Sequence, residues 1–123
     1  MPKKILIVDD EEDLRELVRV SIEDEGFDIC EAGTGAEALA KAREFKPDLM
    51  ILDVMIPDKT GYEVCEELKG DPETSGIYII FLSARGTTAS AKTGKTKGGD
   101  EYMTKPFEPD ELLDRVKKAL KLI

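Results

Sequence analysis

The sequence lacks histidine and tryptophan altogether, and only two of its 123 residues are cysteine. Without histidine the chain can form no Ser-His-Asp or Cys-His catalytic group, no histidine zinc site and no phosphohistidine of its own. Cys30 and Cys65 lack CxxC spacing, so both are predicted to be small buried hydrophobic residues. No apolar run reaches about 18 residues, and Met1–Lys4 leads into a strand pattern rather than a signal peptide. We therefore expect a cytoplasmic protein that makes no contact with membranes.

Basic residues are fewer than acidic ones: the chain has 18 Lys and Arg residues and 27 Asp and Glu residues, which gives a net charge of −9. This field repels nucleic acid, so direct binding of DNA or RNA is not expected, whereas divalent cations are attracted. The length fits a single domain over residues 1–123. A chain of this size can form a core without disulfide or zinc crosslinks.

Five short segments have the character of β-strands, and the most apolar of them are typical of a buried parallel sheet. The predicted strands are Ile5–Val8, Phe27–Ala32, Leu49–Leu52, Ile77–Leu82 and Glu101–Thr104. Between them, apolar spacing and capping residues predict helices. The predicted helices are Glu12–Glu25, Thr34–Phe45, a short helix after Gly61 and a last helix from Pro109. This alternation predicts an α/β fold, a (βα)₅ doubly wound parallel sheet with helices on both faces.

The apolar positions within these helices predict which side chains enter the core. In the first helix they are Leu14, Leu17, Val18 and Ile22, and in the last helix Leu112, Val116, Leu120 and Ile123. The segment Thr87–Gly99 departs from this pattern. It occupies the place of a fourth crossover helix but contains three glycines, four threonines and no large apolar side chain. Local propensity predicts a mobile basic loop there, whereas the topology predicts a helix.

Polar residues close the predicted strands at their carboxyl ends: Asp9, Asp10, Asp53, Ser83 and Lys105. In an open α/β sheet these ends form the functional crevice. Three carboxylates brought together repel one another, and Mg²⁺ would relieve that repulsion. A carboxylate nucleophile, Mg²⁺, a lysine and a hydroxyl are the parts needed to transfer a phosphoryl group onto an aspartate. Since the chain has no histidine, the phosphoryl donor must be another molecule.

Each of these residues taken alone also has an ordinary structural interpretation. Asp9 and Asp10 could end a strand and cap a helix, and Asp53 could cap a loop. Ser83 could be a turn residue, and Lys105 a solvated lysine. If the structural interpretations were correct, five unrelated polar residues would have to fall at neighbouring strand ends by coincidence. A single functional site that uses all five is the better explanation.

Over nearly its whole length the sequence resembles the response-regulator receiver domain, the family that includes the stand-alone chemotaxis regulator. The motifs that carry the resemblance are Asp9-Asp10, Asp53 with Pro57 and Gly61, Ser83-Ala84, and Asp100 and Tyr102 before Lys105-Pro106-Phe107. The resemblance implies a flavodoxin-like three-layer sandwich with strand order 2-1-3-4-5. It also implies a cis peptide bond between Lys105 and Pro106.

By this resemblance Asp53 is the phosphorylation site of a two-component phosphorelay. Mg²⁺ would be bound by Asp10, Asp53 and the backbone carbonyl of Met55, with Asp9 assisting. The phosphoryl group would come from a sensor histidine kinase or a phosphotransfer protein. The domain would be a switch with weak autophosphorylation and autodephosphorylation rather than an enzyme in the usual sense.

The resemblance further implies how the switch works. Lys105 would contact the phosphoryl group, Ser83 would turn toward it, and Tyr102 would swing inward. The surface changed in this way would bind an output protein or domain that the sequence does not identify. We expect a monomer or a weak dimer that depends on phosphorylation.

Three other functions compete with this one. A phosphatase of the haloacid-dehalogenase type requires a second aspartate two residues after the nucleophile, where this chain has Met55. A flavodoxin-like mononucleotide-binding module requires a phosphate-binding loop after the first strand, where this chain has four acidic residues, Asp9–Glu12. A protein-interaction scaffold without phosphorylation would not need the complete acidic site.

Overall fold

The fold is described from a computed structural model that covers residues 2–84, 100–105 and 107–122, with only the backbone described for Ser83, Ala84 and Lys105. The predicted fourth helix over Thr87–Gly99 and the predicted cis bond before Pro106 lie outside the described residues.

Five parallel strands form one sheet in the order β2-β1-β3-β4-β5, as predicted. The strands are β1 (Lys4–Val8), β2 (Asp28–Ala32), β3 (Leu49–Asp53), β4 (Tyr78–Ala84) and β5 (Glu101–Lys105). Every residue of the central strand β3 is buried, which explains its unbroken apolar sequence. Strand β2 lies at an edge, and accordingly its residues are more exposed.

Helices cover both faces of the sheet, and in the described part of the chain they are α1 (Glu12–Ile22), α2 (Gly35–Phe45), α3 (Gly61–Lys69) and α4 (Pro109–Ala119). The predicted cap of α2 is confirmed, because the Thr34 side chain accepts a hydrogen bond from the Glu37 N–H at 3.1 Å. The first helix ends earlier than predicted. A 3₁₀ turn over Glu23–Glu25 follows it and stops at Gly26, whose φ of 81° favours glycine.

The sheet separates two buried clusters, since successive strand residues point to opposite faces. Leu6 and Val8 of β1 pack under α2 and α3, whereas Ile5 and Ile7 pack under α1 and α4. The two clusters hold the sheet between two helical layers, which completes the three-layer sandwich. Within the described ranges, no helix has both the length and the apolar character needed to cross a bilayer.

Most core predictions are confirmed, but three are wrong, and the first is Leu14, which is only half-buried. Leu17 is 45% exposed, since it lies about 100° around the helix from Val18, which faces the sheet. Cys30 is only half-buried because it lies on the edge strand β2, whereas Cys65 is fully buried. Burial raises the pKa of the Cys65 thiol to about 11, so this thiol is protonated at neutral pH. The predicted burial of Ile123 lies outside the described residues.

Candidate functional site

Three carboxylates converge at the carboxyl end of the sheet. Strands β1 and β3 are neighbours with Val8 paired to Leu52, so the residues that follow this pair lie side by side. Asp9, Asp10 and Asp53 each place a carboxylate oxygen within 4.8 Å of the others. Asp9 and Asp53 are buried and Asp10 is exposed. The acidic cluster is therefore buried on the side of Asp9 and Asp53 and open to solvent on the side of Asp10.

The two buried carboxylates are held by the backbone around them. Asp9 Oδ1 accepts a hydrogen bond from the Glu11 N–H at 3.0 Å, and the Asp9 N–H donates to the Ala32 carbonyl at 3.1 Å. Asp53 Oδ1 accepts from the Met55 N–H at 3.3 Å. One oxygen of each carboxylate is thus engaged by the loop that follows it, which restricts how far the group can turn.

The residues present fit a hard divalent cation. Mg²⁺ takes oxygen ligands, uses only a few carboxylates and keeps positions open for water or phosphate oxygens. The acidic cluster supplies carboxylate oxygens within reach of one ion, and exposed Asp10 leaves that ion accessible from solvent. A cation would also reduce the repulsion among three like charges.

The loop from β3 to α3 is closed tightly around Asp53. The Gly61 N–H donates to the Val54 carbonyl at 2.7 Å, and Met55 pairs with Thr60 in an isolated antiparallel bridge. A Cβ atom on Gly61 would overlap the carbonyl oxygen of Asp53 and lie 3.0 Å from Val54 Cα. Met55 projects from this loop with 72% of its surface exposed, beside the acidic cluster. Only glycine at position 61 allows the loop to close in this way.

The same loop is attached to the start of α2 by Asp58. Its carboxylate accepts hydrogen bonds from the Gly35 N–H at 2.7 Å and the Ala36 N–H at 2.8 Å. These two backbone bonds lower the pKa of Asp58. The pKa of Asp58 is lower in the folded protein than in the unfolded chain, so this contact adds to the free energy of unfolding when the pH is above the pKa of the unfolded chain. That stabilisation is lost as the pH falls through the pKa of the folded protein.

The backbones of Ser83 and Lys105 lie at the same end of the sheet. Asp53 is paired with Leu82 in β4, so Ser83 is the next residue along that strand, and Lys105 is paired with Ala84. The sheet thus brings all five predicted positions to one edge at the level of the backbone. The side chains of Ser83 and Lys105 lie outside what the structure describes.

Tyr102 lies on β5 and is directed toward the interior. Its ring packs against the core beside Phe81, with 6.5 Å between ring centroids. The hydroxyl is buried and has no hydrogen-bond partner among the described residues. The predicted inward swing of Tyr102 on phosphorylation stays a prediction, since it concerns a change between two states.

Sequence reasoning missed two residues whose contacts connect the segments around the site to neighbouring elements. Asp58 is in the predicted loop, but nothing in the sequence shows that it reaches α2. Arg15 lies in α1 and donates from Nη1 to the Asp9 carbonyl at 2.7 Å. Arg15 follows Asp9 by six residues in the sequence, but only the structure shows that its side chain reaches back to the Asp9 carbonyl.

The family model of the response regulator receiver domain matches residues 5–117. The chain belongs to this family. Over 121 residues the receiver domain is 44% identical to the alkaline phosphatase synthesis transcriptional regulatory protein PhoP of Bacillus subtilis. It is 40% identical, also over 121 residues, to the DNA-binding response regulator MtrA of Mycolicibacterium smegmatis. These alignments cover 98% of this chain but 50% and 52% of the two proteins, so the chain spans about half the length of the curated relatives it matches.

A solved structure agrees with this assignment. The receiver domain superposes on a CheY-like response regulator receiver domain protein from Methanospirillum hungatei with a TM-score of 0.91 and 29% identity, covering 99% of this chain and 96% of the other. The protein is therefore the receiver domain of a two-component response regulator, with the flavodoxin-like fold predicted from its sequence.

Proposed function

We propose that this receiver domain accepts a phosphoryl group on Asp53 with the help of one Mg²⁺ ion. The observation that carries the proposal is the convergence of Asp9, Asp10 and Asp53, with carboxylate oxygens within 4.8 Å of one another, at the ends of adjacent parallel strands. Their carboxylates, with the Met55 carbonyl, would hold the ion. When bound, Mg²⁺ would neutralise charge on the transferring phosphoryl group.

In the proposed reaction a carboxylate oxygen of Asp53 attacks the phosphorus of the donor. The new bond joins that oxygen to phosphorus, and the bond from phosphorus to the donor breaks as the leaving group takes the electron pair. Asp53 is suited to this role because its Oδ1 is oriented by the Met55 N–H, while the cluster opens to solvent beside Asp10. Lys105 would then pair with the phosphoryl oxygens and Ser83 would donate to one.

The partners belong to the same proposal. A chain without histidine receives its phosphoryl group from a sensor histidine kinase or a phosphotransfer protein. PhoP is named a transcriptional regulatory protein and MtrA a DNA-binding response regulator, which supports an output in gene regulation. A cytoplasmic location, weak self-catalysed phosphoryl transfer and a weak phosphorylation-dependent dimer complete the proposal.

Incubation with acetyl phosphate and Mg²⁺ tests the acceptor function directly. We expect the intact mass to rise by one phosphoryl group when Mg²⁺ is present and to stay unchanged when the metal is chelated. Exposure to mild alkali should remove the adduct, because an acyl phosphate hydrolyses readily. If no adduct forms although Mg²⁺ binding is measured separately, the scaffold function becomes the better explanation.

Met55 is expected to prolong the life of the phosphorylated state. Its exposed apolar side chain lies two residues after Asp53 and would hinder the approach of the attacking water. Met55→Asn should therefore hydrolyse severalfold faster, since an amide can hydrogen-bond that water. Met55→Leu keeps the bulk and the apolar character and serves as the matched control. Equal decay rates for Met55→Asn and the wild type, followed by intact mass, would contradict this role.

A further inference from the structure

We propose that Arg15 is a positioning residue that orients the acidic pair for cation binding. The inference rests on the proposed function, because it concerns how the same cation site is built. Arg15 Nη1 donates to the carbonyl of Asp9 at 2.7 Å. That carbonyl belongs to the peptide unit that joins Asp9 to Asp10. Holding the rotation of this one peptide unit restricts the ψ angle of Asp9 and the φ angle of Asp10, and so restricts where both Cβ atoms can point.

Two further hydrogen bonds hold Asp9 itself, and the Arg15 contact adds one on the side that faces Asp10. The Asp9 N–H is bonded to the Ala32 carbonyl of β2, and Asp9 Oδ1 to the Glu11 N–H. The carbonyl of this peptide belongs to Asp9, the first residue after β1, and Arg15 Nη1 donates to it from α1.

Arg15 is itself held by Glu31 on the edge strand. Its Nε donates to Glu31 Oε1 at 3.1 Å, and its side chain is only 19% exposed. The planar guanidinium thus bonds to a backbone carbonyl with one nitrogen and to a carboxylate with another, whereas a lysine would have to make both contacts from a single nitrogen. A Cβ atom on Gly33 would lie 3.3 Å from Arg15 Nη1, so the guanidinium packs closely against the backbone at this glycine.

Charge and position predict opposite consequences of removing Arg15. A fixed positive charge beside a cation site weakens cation binding, so its loss alone would strengthen the affinity for Mg²⁺. Loss of the hydrogen bond frees the peptide between Asp9 and Asp10 and would weaken that affinity. Because Glu31 offsets part of this charge at 3.1 Å, whereas the hydrogen bond acts on the backbone of the ligands themselves, we expect the positional effect to win.

Mg²⁺ affinity, measured by isothermal titration calorimetry on the folded wild type and variants, tests the inference. Arg15→Ala is expected to bind Mg²⁺ about tenfold more weakly, at the lower end of the range for residues that orient metal ligands. Arg15→Lys should show an intermediate loss, since it keeps the charge without the planar geometry. Arg19→Ala is the matched control, because Arg19 also pairs with Glu31, at 3.3 Å, and lies one turn further along α1. Its affinity should match the wild type.

A second readout separates orientation from general damage to the fold. If Arg15 acts by orientation, the Mg²⁺ concentration that gives half-maximal labelling by acetyl phosphate should rise in Arg15→Ala, and excess Mg²⁺ should rescue labelling. An Arg15→Ala affinity equal to or tighter than that of the wild type would overturn the inference and leave the proposed function intact. If Arg15→Ala does not fold, an unchanged affinity in Arg15→Lys overturns it equally. Absence of Mg²⁺ binding by the wild type would overturn both.

Discussion

Asp53→Asn is expected to abolish Mg²⁺-dependent labelling by acetyl phosphate completely. The amide lacks the charged oxygen that would attack phosphorus, and it removes one of the three carboxylates that reach the cation position. Asparagine has nearly the same shape as aspartate, so the buried position of residue 53 should tolerate it. A loss of labelling can then be assigned to chemistry rather than to unfolding.

Asp28→Asn provides the matched control, because Asp28 is an exposed carboxylate at the start of β2, the opposite end of its strand from the site. It should label like the wild type. Intact mass gives the extent of labelling, and borohydride reduction of the acyl phosphate marks the modified residue. An adduct that persists in Asp53→Asn would show that another carboxylate accepts the phosphoryl group.

Gly61→Ala is expected to lower the free energy of unfolding by about 2 to 3 kcal/mol, the cost of forcing an extra carbon into a filled space. The added carbon would meet backbone atoms of Asp53 and Val54, which cannot rotate away as a side chain would. To make room for the added carbon, the backbone at residue 61 would have to move away from Asp53, the proposed phosphorylation site. We therefore expect labelling to fall together with stability.

Gly76→Ala makes the same change where nothing lies within 4 Å of the added carbon. There the substitution should be neutral or gain up to about 1 kcal/mol, because alanine restricts the unfolded chain. Urea unfolding, followed by circular dichroism, measures both variants. Equal stabilities for Gly61→Ala and Gly76→Ala would show that the loop around Asp53 adapts easily.

The fold could be predicted from the sequence because its strongest signals are local. Runs such as Leu49–Leu52 are apolar on both faces, which is typical of a central parallel strand, and β3 is buried throughout. Leu17 shows the limit of this reasoning. Leu17 lies at helical spacing from the other apolar residues of α1, so the sequence predicts that it faces the core. Whether it does depends on how the whole helix is rotated against the sheet, and the sequence does not give that rotation.

The acidic cluster could also be predicted, since parallel strands place their carboxyl ends at one edge of the sheet. The contacts that connect neighbouring elements around the cluster could not. Arg15 reaches the Asp9 carbonyl, and Asp58 reaches the start of α2, 22 and 23 residues away in the chain. Such contacts depend on the relative positions of separate elements, and no local residue pattern reports them.

The attachment of Asp58 to α2 has a mechanical consequence. Two hydrogen bonds tie the loop after Asp53 to the first residues of α2. A displacement of that loop would therefore either carry the start of α2 with it or break these two bonds.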